Sequence, residues 1–270
     1  MTHPLRLMCV FAHPDDESQA TGGLLAKYAA ERVETYLITA TRGERGWFGP
    51  EQENPGLEAL GRIREVELRA AGKILGLREV HLLDYVDGDL DQANPAEAIA
   101  KIVGHLRRVR PQVVVALPPD GFYGHPDHIA ISQFTQAAVV CAADAAYVEA
   151  SHLPPHRVSK LYYVVDSKRA VALITSIVGS PITMPVDGVE RQHVGWEEWA
   201  TTTHIDVSDH WRTALQAVLA HESQLPSLGS IKEWPDEVHR QIWGHGTYYR
   251  VFSLVNGGRQ VEHDLFEGLR

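Results

Sequence analysis

The stretch LRLMCVFAHPDDE at residues 5–17 joins an apolar run directly to a cluster of histidine and carboxylate side chains. A second stretch of this kind, VVVALPPDGFYGHPDH, lies at residues 113–128. Continuous apolar runs are typical of buried parallel strands. Imidazole and carboxylate groups suit zinc, and a catalytic zinc takes three ligands from the protein. Each stretch therefore predicts a strand whose end carries metal-ligand residues.

The rest of the chain alternates between apolar strand patterns and amphipathic helical patterns. Strands are predicted at residues 5–12, 33–40, 79–84, 113–117 and 161–165, and helices at residues 17–30, 57–75, 95–109 and 127–146. This alternation predicts an α/β fold with a doubly wound, mainly parallel sheet and helices on both faces. Weaker patterns follow, and they predict a smaller C-terminal α+β part with helices at 170–179 and 208–222 and strands at 201–207 and 247–254.

We expect residues 1–270 to form one domain, with a core at 1–150 that contains the metal site and an extension at 151–270 packed on it. In the strand order 3-2-1-4-5 the first and fourth strands are neighbours, and ligands bind at their carboxyl ends. His13 and Asp16 follow the first of these strands, and His128 follows the fourth. Topology therefore predicts one divalent metal per chain, zinc or another ion, held by these three side chains.

The composition of the chain excludes some classes of binding partner and indicates a cellular compartment. The formal net charge is −10 and no stretch is rich in Lys or Arg, so neither nucleic acid nor an anionic membrane is expected as a partner. No apolar run reaches 18 residues, and the N-terminus lacks a signal-peptide pattern. Cys9 and Cys141 are predicted to be reduced and buried. We expect a cytoplasmic protein with a small-molecule substrate, and a homo-oligomer stays open.

The paired carboxylates Asp15 and Asp16 repel each other unless a cation or the helix dipole offsets them. If Asp16 binds the metal, Asp15 is left to deprotonate a water whose pKa zinc lowers to about 7. His125 is predicted to stabilise the oxyanion and to protonate the leaving amine, while Asp127 holds its imidazole in orientation. Alternatively, Asp127 is the N-cap of the fourth helix.

Two loops are predicted on the same edge of the sheet as the metal site. Residues 41–56 follow the second strand, and residues 84–89 follow the third. Long ordered loops in compact domains are often binding loops, and a solvated surface loop is the alternative. Arg64 lies in the second helix, where a solvated charge is typical. The tryptophans between residues 196 and 243 are predicted to lie in the core.

The motifs AHPDDE at residues 12–17 and GHPDH at residues 124–128 resemble those of the zinc-dependent PIG-L/LmbE-like de-N-acetylases. Members of that family remove acetyl groups from molecules that contain N-acetylglucosamine. The resemblance implies a Rossmann-like fold and a zinc ion held by the histidines and the aspartate named above. It also implies that Asp15 is the general base and His125 the electrophilic acid in hydrolysis of an N-acetylglucosamine-type sugar or conjugate.

The same resemblance implies further contacts. Tyr123 stands where related deacetylases of thiol-cofactor pathways carry a mobile tyrosine that assists the oxyanion. Glu44, within the run Thr41 to Glu44, stands where those relatives contact the sugar, and so do Arg64 and Asp87. Residues 47–50 and the part after residue 151 match no member closely enough to transfer a substrate.

Two other functions stay open. The family includes a hydratase that acts on a dicarboxylic acid, so a zinc-dependent hydratase or lyase is one alternative. The other is a non-catalytic α/β protein that binds a small molecule. A nucleotide-binding role is disfavoured, because the first strand–helix junction lacks GxGxxG and the chain has no GxxxxGK[ST] motif.

Overall fold

The computed structural model describes residues 4–186, 188–258 and 260–270. Its strands are β1 (Arg6–Phe11), β2 (Glu34–Thr41), β3 (Glu79–Tyr85), β4 (Val113–Ala116), β5 (Lys160–Val164), β6 (Thr183–Val186), β7 (Val189–Gln192), β8 (Thr203–Asp206) and β9 (His245–Ser253). Its helices are α1 (Asp16–Ala30), α2 (Leu57–Ile74), α3 (Pro95–Val109), α4 (Gly121–Gly124), α5 (Pro126–Ala143), α6 (Lys168–Val178), α7 (Trp211–Leu219) and α8 (Asp236–Trp243).

One sheet contains most of the strands, in the order β3-β2-β1-β4-β5-β9-β8. The first five strands pair in parallel, as the apolar runs predict, and their order confirms the winding reversal between β1 and β4. Strands β9 and β8 extend the sheet beyond β5 in antiparallel pairing. The C-terminal part therefore continues the central sheet, while β6 and β7 form a separate hairpin.

Helices cover the sheet in two packed groups, one made of α3 with α5 and the other of α1 and α2 with α7. Side chains of β1 and β4 are almost wholly buried between them. This is the doubly wound arrangement that the alternating pattern predicts, and the predicted fold class is confirmed. Within the described residues, no helix has the length and apolar character needed to cross a membrane.

Local sequence sets several helix ends. The Asn94 side chain accepts hydrogen bonds from the backbone N–H groups of Ala96 and Glu97, and Pro95 occupies the first position of α3. Helix α5 ends at Ala143, short of the predicted residue 146, because Asp144 is extended and its carboxylate accepts the Ala146 N–H at 2.8 Å.

The C-terminal region departs further from its sequence pattern. The helix predicted from residue 208 begins at Trp211, after a 3₁₀ turn at Ser208–His210. Trp211 is buried, in keeping with the prediction that the tryptophans lie in the core. That prediction is wrong for Trp199, which is 85% exposed because it lies in a surface 3₁₀ turn.

A buried ion pair ties the C-terminal segment to β5. Nζ of Lys160 is 2.6 Å from Oε1 of Glu262, and the two side chains are 0% and 1% exposed. Tyr162, Thr203 and Arg250 also contact the Glu262 carboxylate. A buried charge is tolerated only when it is paired and hydrogen-bonded in this way. Burial raises the pKa of Glu262, but hydrogen bonds from Asn256, Lys160 and Tyr162 outweigh it and lower the pKa to about 2.

We expect Glu262→Gln to lower the free energy of unfolding by about 3–5 kcal/mol at pH 7, because it leaves Lys160 buried without a counter-charge. The folded-state pKa of Glu262 lies below its ordinary value of 4.5, so its stabilisation is fully present above pH 4.5 and is lost as pH falls towards 2. Urea unfolding of both proteins across this range should show the difference narrowing. The exposed Glu53→Gln is the control, and a difference that is constant with pH would contradict the prediction.

Candidate active site

The carboxyl ends of β1 and β4 meet at one edge of the sheet, because the strands are parallel neighbours with Val10 opposite Ala116. His13 follows β1, and His128 lies in the first turn of α5, which comes after β4. Nδ1 of His13 is 3.1 Å from Nε2 of His128, and both rings are buried. The winding reversal thus joins two imidazoles that are 115 residues apart in the chain.

Asp16 stands beside these imidazoles as the first residue of α1. Its Oδ1 is 3.5 Å from Nε2 of His128, and its Oδ2 is 3.9 Å from Nδ1 of His13. The backbone N–H groups of Ala12 and His13 donate hydrogen bonds to Oδ2 at 3.1 and 2.9 Å, which fixes the carboxylate. The structure therefore brings the three predicted ligand residues together around one point.

The other nitrogen of His13 is held by two carboxylates. Nε2 is 3.0 Å from Oδ1 of Asp87 and 3.1 Å from Oδ2 of Asp127. Asp127 is fully buried and also accepts the backbone N–H groups of Gly88 and Leu90 at 2.7 and 3.1 Å. The two carboxylates keep the proton on Nε2. In the neutral ring, Nδ1 then presents its lone pair to the space between His128 and Asp16.

The ionisable groups in this cluster shift one another's pKa values. Burial lowers the pKa of His13, but the hydrogen bonds to Asp127 and Asp87 outweigh it and raise the pKa to about 10. Burial raises the pKa of each of these carboxyl groups, and the bond to His13 brings both below their ordinary range. The two carboxylates therefore stabilise positive charge on the His13 ring, whether a proton or a metal ion occupies Nδ1.

His125 is held differently from the prediction. The prediction that the Asp127 carboxylate orients its imidazole is wrong, because that carboxylate contacts His13 and the 88–90 loop. Nδ1 of His125 instead accepts the backbone N–H of Asp127 at 3.2 Å, so His125 is the N-cap of α5, and the alternative that Asp127 fills this position is also wrong. A ring nitrogen that accepts carries no proton, and the proton of neutral His125 therefore lies on Nε2.

Half-buried His125 lies beside the two buried imidazoles. Its ring centroid is 4.8 Å from that of His13 and 4.7 Å from that of His128. Tyr123 lies in the preceding turn, with its ring 5.9 Å from that of His125. Phe122 in the same turn has a φ of 63°, in the left-handed region, where non-glycine residues are strained. The turn brings Tyr123 and His125 to the same edge as the ligand cluster.

Asp15 occupies a strained position between His13 and α1. Its φ is 111°, and its backbone carbonyl accepts the N–H groups of Ser18 and Gln19 at 3.0 and 2.9 Å. Nη2 of Arg64 is 3.4 Å from its Oδ2. Burial and the charge of Asp16 raise the pKa of Asp15 to about 6, although Arg64 opposes the shift. Such a carboxylate accepts a proton near neutral pH more readily than an ordinary aspartate.

Two buried side chains close to Asp15 were not singled out from the sequence. Glu17 is fully buried behind Asp15, and its Oε1 is 2.7 Å from Nε2 of His221, which follows α7. Burial raises the pKa of Glu17, but the charge and hydrogen bond of His221 outweigh it and lower the pKa. Glu17 belongs to the AHPDDE motif, so its position was a signal. No local pattern marks His221, because only the packing of α7 on α1 brings it there.

The predicted substrate residues lie in three different settings. Arg64 is 3% exposed and donates hydrogen bonds to the backbone carbonyls of Pro14 and Gly43, so it is not the solvated charge typical of a helix surface. Gly43 leaves room for it, since a Cβ there would clash with the Arg64 guanidinium. Asp87 contacts His13, as described. Glu44 is half-buried in the 41–56 loop, where its carboxylate accepts the Arg42 N–H at 3.2 Å.

The 41–56 loop reaches the site, as predicted for a segment at this edge of the sheet. The backbone N–H of Arg45 donates a hydrogen bond to Oδ2 of Asp87 at 2.9 Å, and Asp87 in turn contacts His13. Nε2 of Gln224 donates to the carbonyl of Gly46 at 3.0 Å. The loop is therefore anchored both to the His13 cluster and to the C-terminal part.

Comparisons with known proteins identify the family of this chain. The family model described as PIG-L: GlcNAc-PI de-N-acetylase matches residues 8–139. A Streptomyces coelicolor protein named mycothiol S-conjugate amidase is 31% identical, and the alignment covers 100% of this chain and 99% of that protein. The chain belongs to the PIG-L family.

Another relative of this PIG-L family protein, from Kineococcus radiotolerans, is named 1D-myo-inositol 2-acetamido-2-deoxy-alpha-D-glucopyranoside deacetylase. It is 36% identical, and the alignment covers 100% of this chain and 84% of that protein. Both names describe amide hydrolases, and the present PIG-L protein is an amide hydrolase of the same family. Among solved structures, a conserved protein of Thermus thermophilus has a TM-score of 0.64 at 26% identity, with 94% of this chain and 97% of that chain covered.

We expect Arg64→Met to lower the free energy of unfolding by about 3 kcal/mol, because it leaves two buried carbonyls without a charged donor. Arg62→Met on the same helix is the control. That residue is exposed, and we expect a change within about 0.5 kcal/mol. Chemical denaturation checks both variants. If Arg64→Met kept full stability and only raised KM, Arg64 would be a substrate contact rather than a support for the Asp15 loop.

Proposed function

We propose that this chain is a zinc-dependent deacetylase that removes the acetyl group from an N-acetylglucosamine-type sugar or conjugate. One observation carries the proposal: His13, Asp16 and His128 converge within 3.1 to 3.9 Å of one another, with Asp15 and His125 beside them. The names of the relatives support amide hydrolysis rather than the hydratase or the non-catalytic alternative.

The donor set fits a catalytic divalent metal. Two imidazoles and one carboxylate are typical of catalytic zinc sites, which leave a position open for substrate or water. The hydrogen bonds from Nε2 of His13 to Asp87 and Asp127 are of the kind that orient a metal-binding histidine. Two other groupings exist among the described residues, one with His125 in place of Asp16 and one that joins His13 to Asp87 and Asp127. We favour the set with Asp16, because His125 Nδ1 is used as an N-cap and the other set uses the protonated nitrogen of His13.

When bound, such a metal polarises the amide carbonyl and acidifies water. Asp15 accepts the proton of the water that attacks the carbonyl carbon, and its raised pKa of about 6 suits a general base. The C–N bond then breaks. The amine leaves with the proton that Asp15 took, and the acyl group leaves with the remaining hydroxyl of the water as acetic acid. Acetic acid then releases its proton to solvent and becomes acetate, so atoms and charge balance.

His125 is assigned to the oxyanion. We do not retain the sequence-based prediction that it also protonates the leaving amine, because burial and the charge of His13 lower the pKa of His125 and favour its neutral imidazole. Its Nε2–H is free to donate, because its Nδ1 is engaged with the α5 backbone. A donor aimed at the developing oxyanion stabilises the transition state, and a typical single donor of this kind is worth about 10²- to 10³-fold in rate. Tyr123, on the adjoining turn, is assigned as a second donor to the same oxygen.

We retain Glu44, in the 41–56 loop, as a residue that contacts the sugar. Arg64 and Asp87 we assign instead to holding Asp15 and His13, because both are buried against these residues. We further propose a cytoplasmic location, which the two free cysteines support.

Incubation of the metal-loaded protein with a panel of amide substrates tests the function. The panel contains N-acetylglucosamine, its inositol glycoside and a mycothiol S-conjugate, with free amine and acetate measured separately. Acetate release from an N-acetylglucosamine compound is the expected result. Amine release from the S-conjugate alone would make the chain an amidase of the Streptomyces type, and no release from any substrate would refute the proposal.

His128→Ala should remove most of the bound metal, because it deletes one of three ligands. Asp127→Asn should weaken metal affinity more mildly, by about 10- to 100-fold, because Asp127 orients His13 but is not itself a predicted ligand. Elemental analysis and competition with a chelator measure both effects. His105→Ala, a histidine on α3 outside the cluster, is the control. Full metal content in His128→Ala would show that the ligand set is wrong.

Asp15→Asn should keep the metal and lose on the order of 10²- to 10⁴-fold in kcat, because the amide cannot accept a proton. His125→Ala should also retain metal and lose about 10²-fold or more. Steady-state kinetics beside metal analysis separate the two roles. Near-normal turnover in Asp15→Asn would remove it as the base, and loss of metal would make it a ligand instead.

A further inference from the structure

His221 lies outside the stretch that the family model covers, yet it contacts the candidate active site. It follows α7, is 1% exposed, and places Nε2 2.7 Å from Oε1 of Glu17. Its neighbours are anchored too: Glu67 accepts the backbone N–H and hydroxyl of Ser223 at 2.8 and 2.7 Å. The position of the His221 imidazole is therefore set by the packing of the C-terminal part on α1 and α2.

Glu17 connects His221 to Asp15. Its second oxygen, Oε2, accepts the backbone N–H of Asp15 at 3.0 Å, and the hydroxyl of Ser18 donates to Oε1 at 2.5 Å. A continuous hydrogen-bonded chain thus runs from His221 through the Glu17 carboxylate to the Asp15 peptide. Of the three consecutive acidic residues at the start of α1, Glu17 is the one that faces the C-terminal part.

The Asp15 peptide needs such support. A φ of 111° is rarely adopted by an aspartate, and a strained residue persists only when its surroundings over-determine it. The Asp15 side chain itself makes no N-cap hydrogen bond to α1. Relaxation of φ to negative values would rotate the carboxylate away from its place beside Asp16. Two side chains hold the backbone here: Arg64 donates a hydrogen bond to the Pro14 carbonyl, and Glu17 accepts the Asp15 N–H.

We propose that His221 is a positioning residue for the reaction: through Glu17 it holds the Asp15 backbone in the left-handed conformation that presents the general base. This inference rests on the proposed function, in which Asp15 accepts the proton. It gives the C-terminal part a role in the chemistry beyond packing. Among the described residues, the hydrogen-bond partners of the His221 imidazole are Glu17 and Ser18 rather than a predicted metal ligand, and Glu17 connects it to the Asp15 backbone.

The test compares His221→Ala and His221→Gln with the control His239→Ala. His239 is also a buried histidine of the C-terminal part, but it packs against Trp211 and Trp234, away from the site. Gln retains an N–H donor for Glu17. Misplacement of a catalytic group by about 1 Å costs roughly 10²-fold in rate, so we expect His221→Ala to lose about 10- to 100-fold in kcat with KM and metal content nearly unchanged. His221→Gln should recover most of the loss, and His239→Ala should lower only stability.

A double variant separates positioning from general destabilisation. In the Asp15→Asn background, His221→Ala should cause little further loss of kcat, because the group that it positions no longer accepts a proton. An equal loss in both backgrounds, or equal kcat for His221→Ala and His239→Ala, would overturn the proposal. If His221→Ala does not fold, His221→Leu replaces the ring volume without a donor and carries the same expectations.

A crystal structure of His221→Ala gives a result that does not depend on activity. We expect Asp15 to leave the left-handed region there, and to keep it in His221→Gln. An unchanged Asp15 backbone in His221→Ala would refute the positioning role even if no substrate is found. Failure of every substrate in the panel would instead refute the proposed function, so the two failures are distinguishable.

Discussion

The structure of the site depends on the hydrogen bonds and close contacts of one imidazole, that of His13. One nitrogen faces His128 and Asp16, and the other is held by Asp87 and Asp127. Four segments therefore meet at a single ring: the end of β1, the start of α1, the loop after β3 and the start of α5. Because these four segments come from different parts of the chain, the orientation of the His13 ring requires all four to be in place.

The same edge concentrates negative charge that the fold must offset. Asp15, Asp16 and Glu17 are consecutive, and Asp87 and Asp127 lie across from them. Like charges this close raise one another's pKa values unless cations or hydrogen bonds compensate. Compensation comes from buried Arg64 and from the imidazoles of His13 and His221. A divalent cation bound at the proposed site would offset further negative charge.

The C-terminal part is integral to this arrangement. Its strands β9 and β8 continue the central sheet, and Glu262 locks its end to Lys160 on β5. The same part supplies His221 behind Asp15 and Gln224 against the 41–56 loop. A chain cut after the residues of the family model would retain the predicted ligands but lose these supports. The Asp15 backbone is strained, and a strained residue keeps its conformation only where several contacts oppose relaxation. The contacts from the C-terminal part are among them.

Sequence patterns alone predict the parallel core, the winding order and the grouping of His13, Asp16 and His128. These follow from local patterns: apolar runs form buried strands, Asn94 and Pro95 begin α3, and adjacent parallel strands bring their ends together. The partner of each side chain, in contrast, is set by long-range packing. Asp127 holds His13 rather than His125, Arg64 is buried rather than solvated, and His221 reaches Glu17 across 204 residues. Such choices depend on the relative placement of α5, α2 and α7, and no residue spacing encodes that placement, because packing between distant elements sets it.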